Sequence, residues 1–161
     1  MSHHHQHLSL KWLRDVLEVI NFIDGPENPE AIQAMKERIA EYARRRQLLS
    51  YSELVSGILF IKPKYFGKEP HLINTYSWTG DERHMIGTAL AQIVMETVGE
   101  SNCIITTIVT HKNPNEFGTL PSEVFWKWIQ SLGVIDTINE QEVMMFWGQQ
   151  IEATFRYYRN H

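Results

Sequence analysis

The sequence lacks several features that would assign it to a common functional class. Its 161 residues include one cysteine, which excludes an internal disulfide framework and a thiolate zinc site and fits a reducing compartment. No apolar run reaches the roughly 18 to 20 residues that span a bilayer, and the N-terminus has no basic region followed by an apolar signal core. Glycine-rich phosphate loops and the Gly-X-Ser-X-Gly elbow are absent. We therefore expect a cytoplasmic protein without cofactor, metal or membrane partner.

Positive charge is also scarce, and it is unevenly distributed. The formal net charge is −4, which argues against bulk attraction to nucleic acid. From residue 36 to 68, eight Lys or Arg stand against three Glu (8 − 3 = +5), whereas from 96 to 152 eight acids stand against two Lys (2 − 8 = −6). The run Arg44-Arg45-Arg46 has two interpretations: the solvated end of a helix, or a cluster that contacts phosphate.

The chain is long enough for one well-buried core and too short to make two domains the expectation. Residues 1–7 hold four of the eight histidines, and we interpret them as an expression-tag remnant or a frayed terminus rather than a metal site. The single domain is therefore predicted to cover residues 8–161. No internal repeat or low-complexity tract divides it.

Capping motifs and apolar spacing predict most of the domain as helix. A central helix opens at the capping box Thr79–Glu82 and ends at Gly99. The β-branched run that follows predicts a strand, with Ile104 to Val109 as the most buried one. The expected fold is a helix-rich, winged-helix-like α+β domain with five or six helices around a small, mainly antiparallel sheet. Other predicted helix starts are Asn28-Pro29, the boxes 50–53 and 137–140, and the pair Thr119 and Pro121.

Two segments are candidates for binding a partner. The long irregular stretch from Ile61 to Trp78 interleaves lysines with Tyr65 and Phe66, as single-strand grooves do, although a loop pinned by proline with its aromatic residues on the core explains it equally well. In the last helix, adjacent apolar residues are numerous enough to leave some surface exposed, although core packing is the default interpretation. This second cluster comprises Met144, Met145, Phe146 and Trp147.

Four short segments resemble, in the same order, the motifs of a known family. The family is that of alkylguanine-DNA alkyltransferases and alkyltransferase-like proteins, whose C-terminal domain is a winged helix. The resemblance covers residues 49–133. The segments are 51–55 (YSELV), 86–90 (IGTAL), 108–112 (IVTHK) and 126–133 (WKWIQSLG).

The chain departs from that family at the residues that perform its chemistry. Thr110 stands where the alkyl-accepting cysteine is expected, and a hydroxyl of high pKa is a poor nucleophile without strong activation. His111 matches the histidine that would act on the thiol through water, but Leu132 replaces the supporting glutamate. His84, with Arg83 beside it, occupies the position of the arginine that enters the base stack. The resemblance therefore implies DNA binding without alkyl transfer.

Two functions follow as hypotheses. The first is a non-catalytic nucleic-acid-binding domain, and the second is a protein-interaction module, an inhibitor or adaptor, that uses the acidic and aromatic end of the chain through Met144 to Trp147. An enzyme is not the expectation, and no catalytic residue is predicted. For the first hypothesis the predicted nucleic-acid-binding residues are Tyr51, Ser52, Lys62, Lys64, Lys68, Arg83, His84, Gly87, Thr110, His111 and Lys112.

Overall fold

A computed structural model describes residues 9–20, 28–61, 69–111, 121–136 and 139–161. Within these ranges the predicted helix-rich α+β fold is confirmed, with six α-helices and two small sheets. The helices are α1 Trp12–Glu18, α2 Pro29–Arg44, α3 Tyr51–Val55, α4 Gly80–Ser101, α5 Glu123–Ser131 and α6 Glu140–Arg159, and the strands are β1 Leu49–Ser50, β2 Leu59–Ile61, β3 Pro70–Leu72 and β4 Val109–Thr110.

The described strands form two separate pairs. Strands β2 and β3 are antiparallel, with Phe60 opposite His71, whereas β1 and β4 are parallel, with Ser50 opposite Thr110. The parallel pair brings the start of α3 beside the end of the segment that follows α4. Residues that are about 60 positions apart in the sequence thereby become neighbours at the candidate site.

The predicted strand from Ile104 to Val109 is wrong, because residues 105–108 form a 3₁₀-helix and only Val109 and Thr110 pair as β4. The segment is fully buried, as its β-branched composition indicates, but local hydrogen bonds compete with strand pairing. The Thr107 hydroxyl donates to the Ile104 carbonyl at 2.7 Å, and the Thr107 carbonyl accepts from Trp147 Nε1 at 2.8 Å. The family resemblance assumed a strand here and gains no support from this segment.

Helix α4 is the central element of the core. Its capping box forms as predicted: Thr79 Oγ1 accepts from the Glu82 N–H at 3.1 Å, and a Glu82 carboxylate oxygen accepts from the Thr79 N–H at 2.9 Å. Helices α1 and α2 and the 3₁₀-helix all pack against α4. Apolar residues of α4 are buried on several sides, among them Met85, Ile86, Ala89, Ile93, Val94 and Val98.

Several predicted helix ends differ from the observed ones by a few residues. Helix α4 runs past Gly99 to Ser101, and Asn102 ends it in the left-handed conformation at φ 55°. Helix α5 is capped by Ser122, whose hydroxyl accepts from the Phe125 N–H at 3.2 Å. Asn139 caps α6, so the box predicted at 137–140 is wrong. Thr119, predicted to cap α5, lies outside the described residues.

The arginine run at the end of α2 contacts the C-terminal helix. Arg44 donates to the carbonyl of the last residue, His161, at 3.0 Å. Arg46 pairs with Glu152 at 2.9 Å and lies over the Phe155 ring, 5.1 Å from its centroid. These contacts favour a structural role for the run, which joins α2 to α6, over a role in binding phosphate.

Candidate functional site

A cleft of about 1010 Å³ is the candidate site. Four separate stretches of the chain line it: the start of α3, the first half of α4 with the residue preceding its cap, Thr106 of the 3₁₀-helix with His111 after β4, and the start of α5. The lining residues include Tyr51, Trp78, Arg83, His84, Gly87, Thr106, His111, Phe125 and Trp128.

The cleft brings together most of the described residues that the sequence singled out for nucleic-acid binding. Seven of those eleven residues lie in the described ranges, and six of the seven line the cleft. Lys62, Lys64, Lys68 and Lys112 lie outside the described residues. The six are Tyr51, Ser52, Arg83, His84, Gly87 and His111.

Aromatic rings form much of the cleft wall. The rings of Tyr51 and Trp78 meet edge to face at 6.4 Å between centroids, and His111 lies 5.2 Å from Tyr51 at a tilt of 53°. Phe125 and Trp128 make a second pair at 6.3 Å. Flat apolar rings of this kind offer stacking surface to a planar ligand.

Tyr51 is held in place from the opposite side of the cleft. Its phenol oxygen accepts a hydrogen bond from the Ser122 N–H at 3.1 Å, which connects α3 to the cap of α5. Burial raises the pKa of Tyr51 despite this hydrogen bond, so the phenol stays protonated at neutral pH. Its O–H is therefore a donor that a ligand can use.

In the described part of the chain, only the α4 side of the cleft carries a charge that attracts an anion. Arg83 is exposed in the first turn of α4 and makes no ion pair with a described residue, so its charge is available to a ligand. The two carboxylates of the cleft, Glu53 and Glu123, are each engaged. Glu53 accepts from the Ser50 N–H at 2.9 Å, and Glu123 pairs with Lys127 at 3.2 Å.

Gly87 leaves the surface of α4 open where it meets the cleft. A Cβ built on Gly87 would have no heavy atom within 4 Å, so no neighbour in the fold requires a glycine there. Its φ is not in the left-handed region either. A glycine inside a helix costs about 1 kcal/mol of stability relative to alanine. What Gly87 provides in return is open space on the cleft side of α4.

Thr110 is the exception among the described predicted residues. It is 0% exposed and does not line the cleft, so the structure gives no support to its predicted contact with nucleic acid. Its hydroxyl has no hydrogen-bond partner among the described residues, and no described base activates it. The one cysteine, Cys103, is also buried, and burial raises the pKa of its thiol, which favours an inert residue.

The predicted partner surface on the last helix does not form a continuous patch. Trp147 is 2% exposed and belongs to the core, and Met144 and Phe146 are half-buried and pack against the core. Met145 alone is well exposed, at 58%. The default interpretation of this cluster, core packing, therefore holds for three of its four members.

Sequence reasoning missed several residues of the cleft. Trp78, Phe125 and Trp128 all line the cleft, although none of them is among the predicted site residues. The clustering of aromatic residues at the start of α5 in the sequence is a usable signal for such a surface. Ser122 and Thr106 carried no sequence signal, because their importance comes from contacts between distant segments.

Other kinds of site find no support in the described part of the chain. No three His, Cys, Asp or Glu side chains within it are grouped so that they could hold a metal ion. Nor does any helix in the described ranges have both the length and the apolar character needed to cross a membrane.

Comparison of the chain with protein-family models, with curated proteins and with solved structures gave no match.

Proposed function

We propose that this protein binds nucleic acid without catalysis, and that the cleft between α3, α4 and α5 receives a base. The observation that carries the proposal is the convergence of Tyr51, Arg83, Gly87 and His111, which come from three separate segments of the sequence, on one cleft. The alkyltransferase-like resemblance is part of the same proposal, because these residues belong to its motifs or adjoin them.

The chemistry of the cleft suits a base better than it suits a phosphate. Stacking on an aromatic side chain contributes about 1 to 3 kcal/mol per base in single-strand complexes, and Tyr51, Trp78 and Trp128 offer such surfaces. Arg83 stands at the first turn of α4, where its cation attracts a phosphate next to the base, although Asp81 and Glu82 of the same turn already complement the helix terminus. The base would occupy the apolar interior and the backbone would follow the α4 side.

The proposal that the protein does not transfer alkyl groups is supported by Thr110. Its hydroxyl is buried, and it stands in the place where the resembling family has a thiol. A ligand in the cleft would not meet this oxygen, and a neutral hydroxyl is a weak nucleophile in any case.

The experiment is a titration of fluorescently labelled single-stranded and duplex DNA and single-stranded RNA, followed by anisotropy from 25 to 200 mM salt. If Arg83 contacts a phosphate, Arg83→Gln should weaken binding and reduce the salt slope by about 0.7 to 0.9. The matched control is Arg156→Gln, because Arg156 is also exposed but lies on α6 outside the cleft wall. We expect no change of slope for that variant.

Failure to bind any of these nucleic acids at the lowest salt, where attraction is least screened, would refute the proposal. The protein-interaction hypothesis would then replace it, and the exposed apolar Val124 beside Glu123 supports an interaction surface at the cleft rim rather than on α6. In that case Val124→Asp should abolish capture of the partner, and Met145→Asp should not.

A further inference from the structure

Thr106 carries a buried hydroxyl without a partner on the wall of the cleft. The residue belongs to the 3₁₀-helix, lines the cleft, and is 3% exposed. Its Oγ1 makes no hydrogen bond with any described residue. A buried hydroxyl that has lost its water and found no replacement destabilises the free protein, and a ligand that bonds to it removes that penalty.

Other buried threonines of the described residues show that a missing partner is not the rule. The Thr107 hydroxyl donates to the Ile104 carbonyl at 2.7 Å, and the Thr154 hydroxyl donates to the Gln150 carbonyl at 2.8 Å. Thr110 also lacks a partner but does not line the cleft. Of the two buried threonine hydroxyls without a partner in the described residues, that of Thr106 therefore belongs to the residue that lines the cleft.

Rotation of the Thr106 side chain offers a way to turn its hydroxyl toward a ligand. The methyl and hydroxyl groups of threonine are similar in size, and one staggered step about Cα–Cβ carries the hydroxyl into the position of the methyl group while the methyl group takes that of the hydrogen; in helices threonine divides between two rotamers. A ligand with a hydrogen-bonding group at this wall favours the rotamer that presents the hydroxyl. A ligand without such a group gives no such preference.

We infer that Thr106 is a specificity-determining residue of the cleft, whose hydroxyl hydrogen-bonds the polar edge of the bound base. This inference rests on the proposed function. The 3₁₀-helix packs on α4, whose cleft-lining residues Ile86, Leu90 and Ala91 are apolar. A neutral carbonyl, ring nitrogen or amino group suits such a wall, whereas a phosphate would lose hydration there without compensation.

The test compares three variants on two DNA probes. The probes are a single-stranded DNA oligonucleotide and the same oligonucleotide with abasic positions, both labelled and titrated at low salt. Thr106→Val removes the hydroxyl and keeps the shape, Thr106→Ser keeps the hydroxyl, and Thr110→Val removes the equivalent unpartnered hydroxyl away from the cleft. Thermal unfolding of each variant is recorded alongside.

We expect Thr106→Val to weaken binding of the base-containing probe about threefold to tenfold, the equivalent of one hydrogen bond, and to leave binding of the abasic probe unchanged. Thr106→Ser and Thr110→Val should bind both probes as the wild type does. Both valine variants should unfold at the same temperature as the wild type or slightly above it, because an unpartnered hydroxyl is replaced by a methyl group.

The failures of the two proposals are distinguishable. If the wild type binds the base-containing probe and Thr106→Val binds it equally well, the role of Thr106 is refuted and the proposed function stands. An equal loss for Thr110→Val would also refute it, since the effect would then be structural. If the wild type binds neither probe, both proposals fall.

Discussion

Replacing Gly87 by alanine should stabilise the protein, because nothing in the fold requires glycine at that position. Gly87 lies inside α4, a Cβ there has no heavy atom within 4 Å, and the residue is exposed. Glycine in a helix interior costs about 0.8 to 1 kcal/mol relative to alanine. For a chain of this size, the gain corresponds to a rise in Tm of about 2 to 4 °C.

A longer side chain at the same position should weaken DNA binding without destabilising the protein. Gly87→Leu keeps a good helix former and fills the cleft beside α4, so we expect a stable protein whose binding of the DNA oligonucleotide falls at least tenfold. The matched control is Gly148, an exposed glycine inside α6 whose Cβ would also meet nothing within 4 Å. Gly148→Ala should raise Tm by a similar amount, and Gly148→Leu should leave binding unchanged.

Two results would refute this reasoning about Gly87. A lower Tm for Gly87→Ala, measured by calorimetry or circular dichroism, would mean that the helix surface is packed against something in the folded protein. Undiminished DNA binding by Gly87→Leu would mean that the ligand does not enter the cleft along α4.

Three further outcomes are expected. Glu82 is 3% exposed; burial opposes its ionisation, but hydrogen bonds from the Thr79 N–H and from His71 at 2.8 Å outweigh it and lower its pKa below the ordinary 4.5. The contribution of the Glu82 carboxylate to the free energy of unfolding is therefore complete above about pH 4.5 and is lost as the pH falls through its folded-state pKa. Urea unfolding from pH 7 to 3 should show Glu82→Gln less stable at pH 7, by about 1 to 3 kcal/mol, and less sensitive to acid; equal slopes would refute the role of Glu82. Arg46→Ala should cost about 1 kcal/mol, the sum of an exposed ion pair and a cation–π contact, without altering DNA binding; a loss of affinity with unchanged stability would restore the phosphate-binding interpretation. Incubation with DNA that contains alkylated guanine should leave the mass of the protein unchanged, and a covalent adduct at any residue would contradict the non-catalytic proposal.

Local signals predicted the parts of the fold that depend on neighbouring residues. The capping boxes at Ser50 and Thr79 form as expected, because each requires only side chains three positions apart. Gly133, at φ 84°, follows α5 as a glycine after a helix should. The start of α2 after Asn28 is also as predicted, although the Asn28 side chain accepts from the Ile61 N–H instead of capping the helix.

Predictions failed where distant contacts decide the conformation. The β-branched run before Thr110 favours a strand by propensity, but the carbonyl of Thr107 bonds to Trp147 of α6, and the backbone folds into a 3₁₀-helix.

The residues of the candidate site were predicted better than its shape. Motif resemblance selected residues such as Tyr51 and His111, which line the cleft. It could not reveal that Thr110 lies buried, because burial depends on the pairing of β4 with β1. Nor could the resemblance indicate Thr106, because only the structure reveals that its buried hydroxyl has no hydrogen-bond partner among the described residues.

The central claim, that a base enters the cleft, is tested most directly through the five tryptophans of the chain. Trp78 and Trp128 line the cleft, whereas Trp12, Trp126 and Trp147 do not. In ¹⁵N-labelled protein each indole N–H gives its own NMR signal, which site-directed Trp→Phe variants assign. On titration with a single-stranded DNA oligonucleotide at low salt, the account predicts that the signals of Trp78 and Trp128 shift and the other three stay in place. Shifts confined to Trp12, Trp126 or Trp147, or no shift at all, would contradict it.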